Sequence, residues 1–331
     1  RNKHQLNFDI DLYNPFKIKS EESFNELALE IFQFQYKNNL VYRKYVDCFG
    51  RNSPLHYSEI PFLPIEFFKS NNVICGDGLV DLKFRSSGTS GANSVHHVKD
   101  KIIYESSFLN GIKIAYADIK DRVILALLPN YLEQGSSSLV YMADSLIKRS
   151  KFKESGFYLG DIDALISVLE ELERRKQPTL LLGVSFALLD LVEKKNFNLT
   201  YTNIIETGGM KGRRKEMVRS ELHLILCNGF GVSEIHSEYG MTELLSQAYS
   251  KGNGIFNCPP WMKIQIRDIN DPLELLANQR SGGINVIDLA NIYSCSFIAT
   301  QDLGQTFKNG SFEVIGRFDN TDVRGCNLMM L

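Results

Sequence analysis

The sequence has no CxxC pair. Its six cysteines, Cys48, Cys75, Cys227, Cys258, Cys295 and Cys326, are scattered over 331 residues. In a chain of this length they read as free thiols of a reducing compartment, which excludes a disulfide-stapled scaffold. No run of about 18 apolar residues is present to span a bilayer, and no signal-type apolar stretch follows Arg1-Asn2-Lys3-His4. The expected location is the cytoplasm. Neither charge is in excess: 37 basic and 39 acidic side chains leave a net charge of −2. The basic residues are dispersed, and the cluster Lys211-Gly212-Arg213-Arg214-Lys215 is short and followed by Glu216. The electrostatic case for nucleic acid as a partner is therefore missing. Internal repeats and low-complexity tracts are missing too.

What is there belongs to an ordinary globular chain, 44% hydrophobic and 23% charged, able to bury a sizeable core. The length exceeds the usual domain of roughly 100–200 residues, so a large α/β body with a smaller unit is expected. A helix is predicted over residues 21–37, with a capping box at Ser23-Phe24-Asn25-Glu26 and apolar positions Leu27, Ile31 and Phe34. Pro54, Pro61 and Pro64 make residues 54–65 an extended crossing. Residues 122–128, 179–183, 203–206 and 222–227 read as buried strands. Helices are predicted over 161–176, after Gly183, and over about 212–221. This alternation implies a helix-covered, mostly parallel sheet with ligands beyond the carboxyl ends of its strands. After residue 250, the runs 263–267, 283–289, 293–299 and 311–315 predict a small antiparallel β subdomain. The expected boundaries are 1–250 for the core, 251–316 for the subdomain and 317–331 for a tail.

Four segments carry chemistry. Ser86-Ser87-Gly88-Thr89-Ser90-Gly91 combines hydroxyl donors with glycines that let consecutive N–H groups face an anion. It also reads as a flexible surface loop, and it lacks the Gly-Lys-Ser/Thr ending of a P-loop. Glu238-Tyr239-Gly240-Met241-Thr242-Glu243 offers a stacking ring, a close backbone approach, a phosphate donor and a metal ligand. Its plainer reading is a turn opening a helix near Thr242. Glu206-Thr207-Gly208-Gly209-Met210 stands where a nucleotide pocket would be lined, or is a strand-to-helix turn using glycine for positive φ. Gln301-Asp302-Leu303-Gly304 and Gly316-Arg317-Phe318-Asp319 supply a carboxylate suited to ribose hydroxyls and a guanidinium suited to phosphate. Each is equally a common hairpin sequence.

Together, in this order, these segments resemble the adenylate-forming superfamily of acyl-CoA synthetases, adenylation domains and luciferases, from about residue 80 to the end. The form of the Ser/Gly loop and the ending Asp322-Val323-Arg324-Gly325-Cys326 look most like the acyl-protein synthetases of the bacterial bioluminescence fatty-acid reductase complex. Phenylacetate-type CoA ligases are more distant. The resemblance implies an α/β fold of the adenylate-forming N-terminal type. It also implies ATP and Mg²⁺ as cofactors, and a carboxylic or fatty acid as substrate. Residues 86–91 would wrap the phosphates, and Gly208 and Gly209 would flank the adenine. Tyr239, followed by Gly240, would stack on the base. Thr242 would touch the α-phosphate, Glu243 would hold Mg²⁺, Asp302 would bind ribose, and Arg317 would contact ribose or phosphate.

Two departures stand out. Ala92-Asn93-Ser94 replaces the usual Pro-Lys after the loop, leaving His96, His97, Lys99 and Lys211 as candidate cations. The chain stops at Leu331, where CoA ligases begin a mobile C-terminal lobe, so that lobe is expected to be absent. By the same resemblance Cys326 would carry the acyl group to an acyl-reductase or acyl-carrier partner. The guanidinium of Arg324 would favour its thiolate, while the plain alternative is a buried apolar cysteine. Pro129 to Tyr131 and Trp261 are candidates for the acyl pocket. A different class is a serine acyltransferase or thioesterase. Gly183-Val184-Ser185-Phe186-Ala187 mimics a nucleophile elbow, with His223 or His236 as base, although Ser185 also reads as a helix N-cap. A non-catalytic nucleotide-binding relative is a third reading.

Overall fold

The computed structural model describes residues 8–86, 93–129, 136–208, 214–215 and 217–318. In chain order the elements begin with α1 (Glu21–Asn38), α2 (Leu40–Asp47), β1 (Leu63–Pro64), α3 (Phe67–Ser70), β2 (Leu82–Arg85), β3 (Val95–Val98) and α4 (Lys101–Tyr116). The middle of the chain gives β4 (Val123–Leu127), α5 (Ser138–Arg149), β5 (Gly156–Phe157), α6 (Ile162–Arg174), β6 (Thr179–Val184) and α7 (Ser185–Lys194). It continues through β7 (Thr202–Thr207), α8 (Arg219–Phe230), β8 (His236–Tyr239), β9 (Ala248–Ser250) and β10 (Ile255–Asn257). The last strands are β11 (Met262–Arg267), β12 (Gly282–Asp288), β13 (Phe297–Thr306) and β14 (Phe312–Arg317). Among the described residues, no helix is long and apolar enough to cross a membrane.

Two compact units share the chain. The first comprises Arg1–Ser107, Thr242–Ser246 and Asn257–Leu331; the second comprises Phe108–Met241 and Gln247–Phe256. This division departs from boundaries at 250 and 316, because the N-terminal helices find their packing partners in the last strands.

In the second unit the strands run β5-β4-β6-β7-β8-β9. The first five are parallel and β9 is antiparallel to β8. All five residues of β4 and all six of β6 are buried, as the continuous apolar runs predict for strands covered on both faces. Helix α6 buries Leu165, Leu169 and Leu172, one stripe at helical spacing. The expected strand at 222–227 is instead part of α8. Its buried positions Leu222, Leu226, Gly229 and Phe230 follow a helical period, and Leu224 faces out. Gly231, at φ 66, ends the helix in the left-handed region. The helix expected at 212–221 is thus displaced toward the C-terminus, and part of that stretch lies outside the described residues.

In the first unit β11, β12, β13 and β14 form an antiparallel sheet, as the short C-terminal runs predict. β1 adds in parallel to the first half of β13, through Leu63 and Pro64 opposite Ile298 and Ala299. The capping box of α1 lies three residues before its expected place. Ser20 is the N-cap, and the Ser20 and Ser23 hydroxyls accept from each other's backbone N–H at 3.1 Å. Leu27 and Ile31 are buried as expected, together with Phe24, Phe32 and Gln35. Gln35 is polar because it reads a loop: its Nε2 donates to Asn291 O, Ile292 O and Ser296 Oγ at 2.9–3.0 Å.

Candidate active site

Of the candidate residues, Ser86, Thr242, Glu243, Asp302 and Arg317 belong to the first unit, and Gly208, Tyr239 and Gly240 to the second. Ser87, Gly88, Thr89, Ser90, Gly91, Gly209, Lys211 and Cys326 lie outside the described residues.

In the first unit, the segment Thr242–Ser246 is held by three buried side chains. The His96 ring places Nδ1 2.8 Å from Thr242 O and Nε2 3.1 Å from Asn291 Oδ1. Asn291 Nδ2 donates to Glu243 O at 2.8 Å and to Cys295 O at 2.9 Å. Asp288 accepts from the N–H groups of Leu245 and Ser246, at 2.7 and 2.9 Å, and from the Ser246 hydroxyl at 2.5 Å. Backbone groups at both ends of the strap are thereby fixed, and Thr242 and Glu243 are carried on a rigid base. No helix opens at Thr242; β8 ends just before it.

Glu243 is only 5% exposed. Burial pushes its carboxyl above the ordinary range, against the opposing effects of a Ser94 hydroxyl hydrogen bond and the charges of Arg317 and Lys69. Ser94 also closes the Ser/Gly segment: its N–H donates to Ser86 Oγ at 2.9 Å and its carbonyl accepts from Ser86 N at 3.0 Å. The segment is thus the connection of a two-stranded hairpin, since β2 and β3 pair from Leu82↔Val98 to Arg85↔Val95. One stem of that hairpin touches Glu243.

A buried carboxylate with one hydroxyl donor and elevated proton affinity is short of positive charge. That donor set fits Mg²⁺, which binds through one or two carboxylates together with phosphate oxygens rather than in an all-protein cage. Among the described residues, no group of three or more His, Cys, Asp or Glu forms such a cage.

Asp302 and Arg317 face each other across β13 and β14, with Arg317 Nε 3.0 Å from Asp302 Oδ1. The aspartate is buried, while the arginine side chain is 77% exposed. Among the cations offered in place of the missing lysine, His96 is eliminated. Burial holds its pKa down to about 4, outweighing the two acceptors that favour protonation, and both nitrogens are committed. Lys99 Nζ donates to Asp77 O at 3.0 Å, and burial and Lys83 lower the His97 pKa. Trp261 is buried, its Nε1 donating to Ser246 Oγ and Ser107 Oγ at 2.9 and 3.2 Å.

In the second unit, Gly208 follows the carboxyl end of β7. A Cβ there would meet nothing within 4 Å, and its φ is not positive. Neither turn geometry nor packing among the described residues demands a glycine at this position, while Gly209 lies outside them. Gly240 differs: an added Cβ would strike the Glu238 carboxylate. The Tyr239 ring is largely buried, with its centroid 6.0 Å from that of Phe256.

The nucleophile-elbow expectation fails. Ser185 is buried and its hydroxyl donates to Glu206 Oε1. His223 Nε2 faces Ser237 Oγ at 3.4 Å, and His236 Nδ1 faces the Tyr116 hydroxyl at 3.1 Å. Neither histidine approaches Ser185 as a base. Ser185 is not the N-cap either; Val184 is, without a side-chain cap. Burial would raise Glu206, but hydrogen bonds from His223 and Ser185 bring it below its ordinary pKa. Its neighbour Glu238 is pushed up to about 7 by burial and by Glu206.

Sequence reasoning missed Ser94, Asn291, Asp288 and the structural duty of His96. Their contacts with the strap and between His96 and Asn291 span 42–195 positions, so no local spacing encodes them.

No family model matches the chain, and no curated protein does. Several solved structures resemble it. ATP-bound MatB from Rhodopseudomonas palustris aligns at TM-score 0.55 and 18% identity, covering 73% of this chain and 49% of that one. A long-chain-fatty-acid-CoA ligase (FadD1) from Archaeoglobus fulgidus aligns at 0.51 and 16%, covering 72% and 51%. McyG A-PCP in complex with phenylalanyl-adenylate aligns at 0.51 and 16%, covering 74% and 48%. The chain spans about half the length of each. At such identities the likeness speaks for the fold, and the fold of this chain is the α/β architecture these structures share, as expected from the resemblance to adenylate-forming enzymes.

Proposed function

We propose that the chain activates a carboxylic acid with ATP and passes the acyl group to a thiol. The observation that carries this reading is the strap: a fixed backbone presents Thr242 beside a buried, charge-deficient Glu243 carboxylate bonded to the stem of the Ser/Gly hairpin. The structural likeness to an ATP-bound protein, a fatty-acid-CoA ligase and an adenylate complex adds support at the level of fold.

In the first half-reaction a carboxylate oxygen of the acid attacks the α-phosphorus. A new P–O bond forms, the bond to the β-phosphate bridge breaks, and pyrophosphate leaves. Attack of one anion on another is slow chiefly for electrostatic reasons, so positioning and charge neutralisation carry the catalysis. The hydroxyl of Thr242 would donate to the α-phosphate, the loop at 86–91 would supply N–H and hydroxyl donors, and Asp302 with Arg317 would orient the ribose. Mg²⁺, held by Glu243, would neutralise phosphate charge. In the second half-reaction a thiolate attacks the acyl carbonyl of the mixed anhydride and AMP leaves. Cys326 is the proposed thiol, with an acyl-reductase, acyl-carrier protein or CoA as the onward acceptor and a fatty acid as the proposed substrate.

Among the described cysteines, burial pushes Cys258 and Cys295 up to about 12, which keeps both thiols protonated and unreactive. The test is ATP–pyrophosphate exchange over a panel of carboxylic acids, followed by intact mass. Acid-dependent exchange is expected, with a loss of at least about a hundredfold in Glu243→Gln. One acyl mass should be added in the wild type and none in Cys326→Ser. ATP binding without exchange for any acid would favour the non-catalytic reading; unchanged acylation of Cys326→Ser would move the thiol elsewhere.

A further inference from the structure

A groove of about 490 Å³ opens in the second unit between the end of α4 and the sheet. Lys113, Tyr116, Arg122, Asn203, His236 and Lys251 line it. Arg122 directly precedes β4, Asn203 is the second residue of β7, and His236 opens β8. The groove therefore lies at the amino ends of parallel strands, at the opposite end of β7 from Gly208.

Two of the cations act on Tyr116. Lys251 Nζ stands 6.0 Å from the centroid of the Tyr116 ring. The Arg122 charge acts on the Tyr116 hydroxyl, and Arg122 Nη1 donates only to a neutral partner, Asn203 Oδ1, at 3.3 Å. The His236 ring stacks on Tyr116 at 5.5 Å. Among the described residues, Lys113, Arg122 and Lys251 form no ion pair, whereas most cations elsewhere in this unit do. Lys148 pairs with Asp144 at 2.6 Å, Lys151 with Asp121 at 2.8 Å, Arg175 with Glu154 at 2.9 Å and Lys194 with Asp163 at 2.6 Å.

Among the described residues, no carboxylate lines the groove. Nearby Asp121 is spent on Lys151, and Asp118 caps the Lys120 N–H at 3.0 Å. The remaining acid within electrostatic range of Tyr116 is Glu238, whose raised proton affinity leaves it only partly charged at neutral pH. Glu234 packs against Gly252, next to Lys251, and lies outside the groove lining. The lining itself is positive, which favours the entry of an anion.

We propose that this groove binds a small molecule carrying a phosphate group, at a site separate from the segments assigned to ATP. The volume falls in the range of roughly 300–1,000 Å³ typical of small-ligand sites. A phosphomonoester brings nearly two negative charges at neutral pH, and the Arg122 fork suits its oxygens. Lys113 and Lys251 sit at exposed positions from which their ammonium groups can reach the same anion.

The test is calorimetric titration of the full chain with inorganic phosphate and with glycerol phosphate at low ionic strength. Wild-type protein should bind both saturably. Lys113→Glu/Lys251→Glu should weaken binding at least about tenfold, about 1.4 kcal/mol, with ATP affinity unchanged. A control pair, Lys148→Glu/Lys194→Glu, should bind as the wild type does. Phosphate affinity unaltered in the groove variant would overturn the proposal. So would absence of phosphate binding alongside a poly-glutamate peptide that binds wild type and not the variant, which would assign the groove to an acidic protein segment.

Discussion

Glu238 stores a pH dependence in one side chain. Its carboxyl titrates at about 7 in the folded protein, raised from 4.5 by burial and by the neighbouring Glu206. Between these values the folded chain binds a proton that the unfolded chain has already released. Stability therefore declines as pH rises through this window, because ionising the folded-state carboxyl is penalised. Thermal melts at low salt should show Tm falling between about pH 5 and 8, with much of that fall removed in Glu238→Gln, which keeps the shape and drops the charge. Identical pH profiles for the two proteins would show that Glu238 is not the titrating group. The same carboxyl lies against Gly240, where an added Cβ would force it to move.

At the scale of elements, α1 governs a site it does not enter. Gln35 bonds three acceptors between residues 291 and 296, and Ser296 N returns a bond to its Oε1 at 3.0 Å. That loop carries Asn291, which holds Glu243 O. Gln35→Met keeps the bulk but leaves buried carbonyls unpaired. It should cost about 1–3 kcal/mol by chemical denaturation and also reduce pyrophosphate exchange. Wild-type stability in this variant would mean that the loop holds itself. Elements whose burial is decided locally were legible in the sequence: β4 and β6 are apolar runs covered on both faces, and α6 repeats leucine at helical spacing. Helix α8 was not. Its Leu-His-Leu-Ile-Leu-Cys stretch reads as an apolar run like a buried strand's, and the choice of helix rests on tertiary packing, with Gly229 closely approached by Val192 of α7. The candidate site divides in the same way. Thr242, Glu243 and the serine-glycine segment form contiguous motifs, whereas the clamp from His96, Asp288 and Asn291 is assembled from distant positions and leaves no spacing to read.

For the whole molecule, nucleotide binding should appear as stability. A ligand that binds only the folded state at a hundred times its Kd adds about 2.7 kcal/mol. ATP should therefore raise Tm, more so with Mg²⁺ present, and Glu243→Gln should lose the magnesium-dependent part. A melting temperature indifferent to ATP would remove the basis of the adenylating reading. The path of the chain has a consequence of its own. It leaves the second unit at Thr242, spends five residues in the first, and returns at Gln247. No single breakpoint in the gene can release either unit intact, since the first is drawn from three separate stretches of chain and the second from two. Neither unit can therefore be expressed alone as one uninterrupted stretch of the sequence.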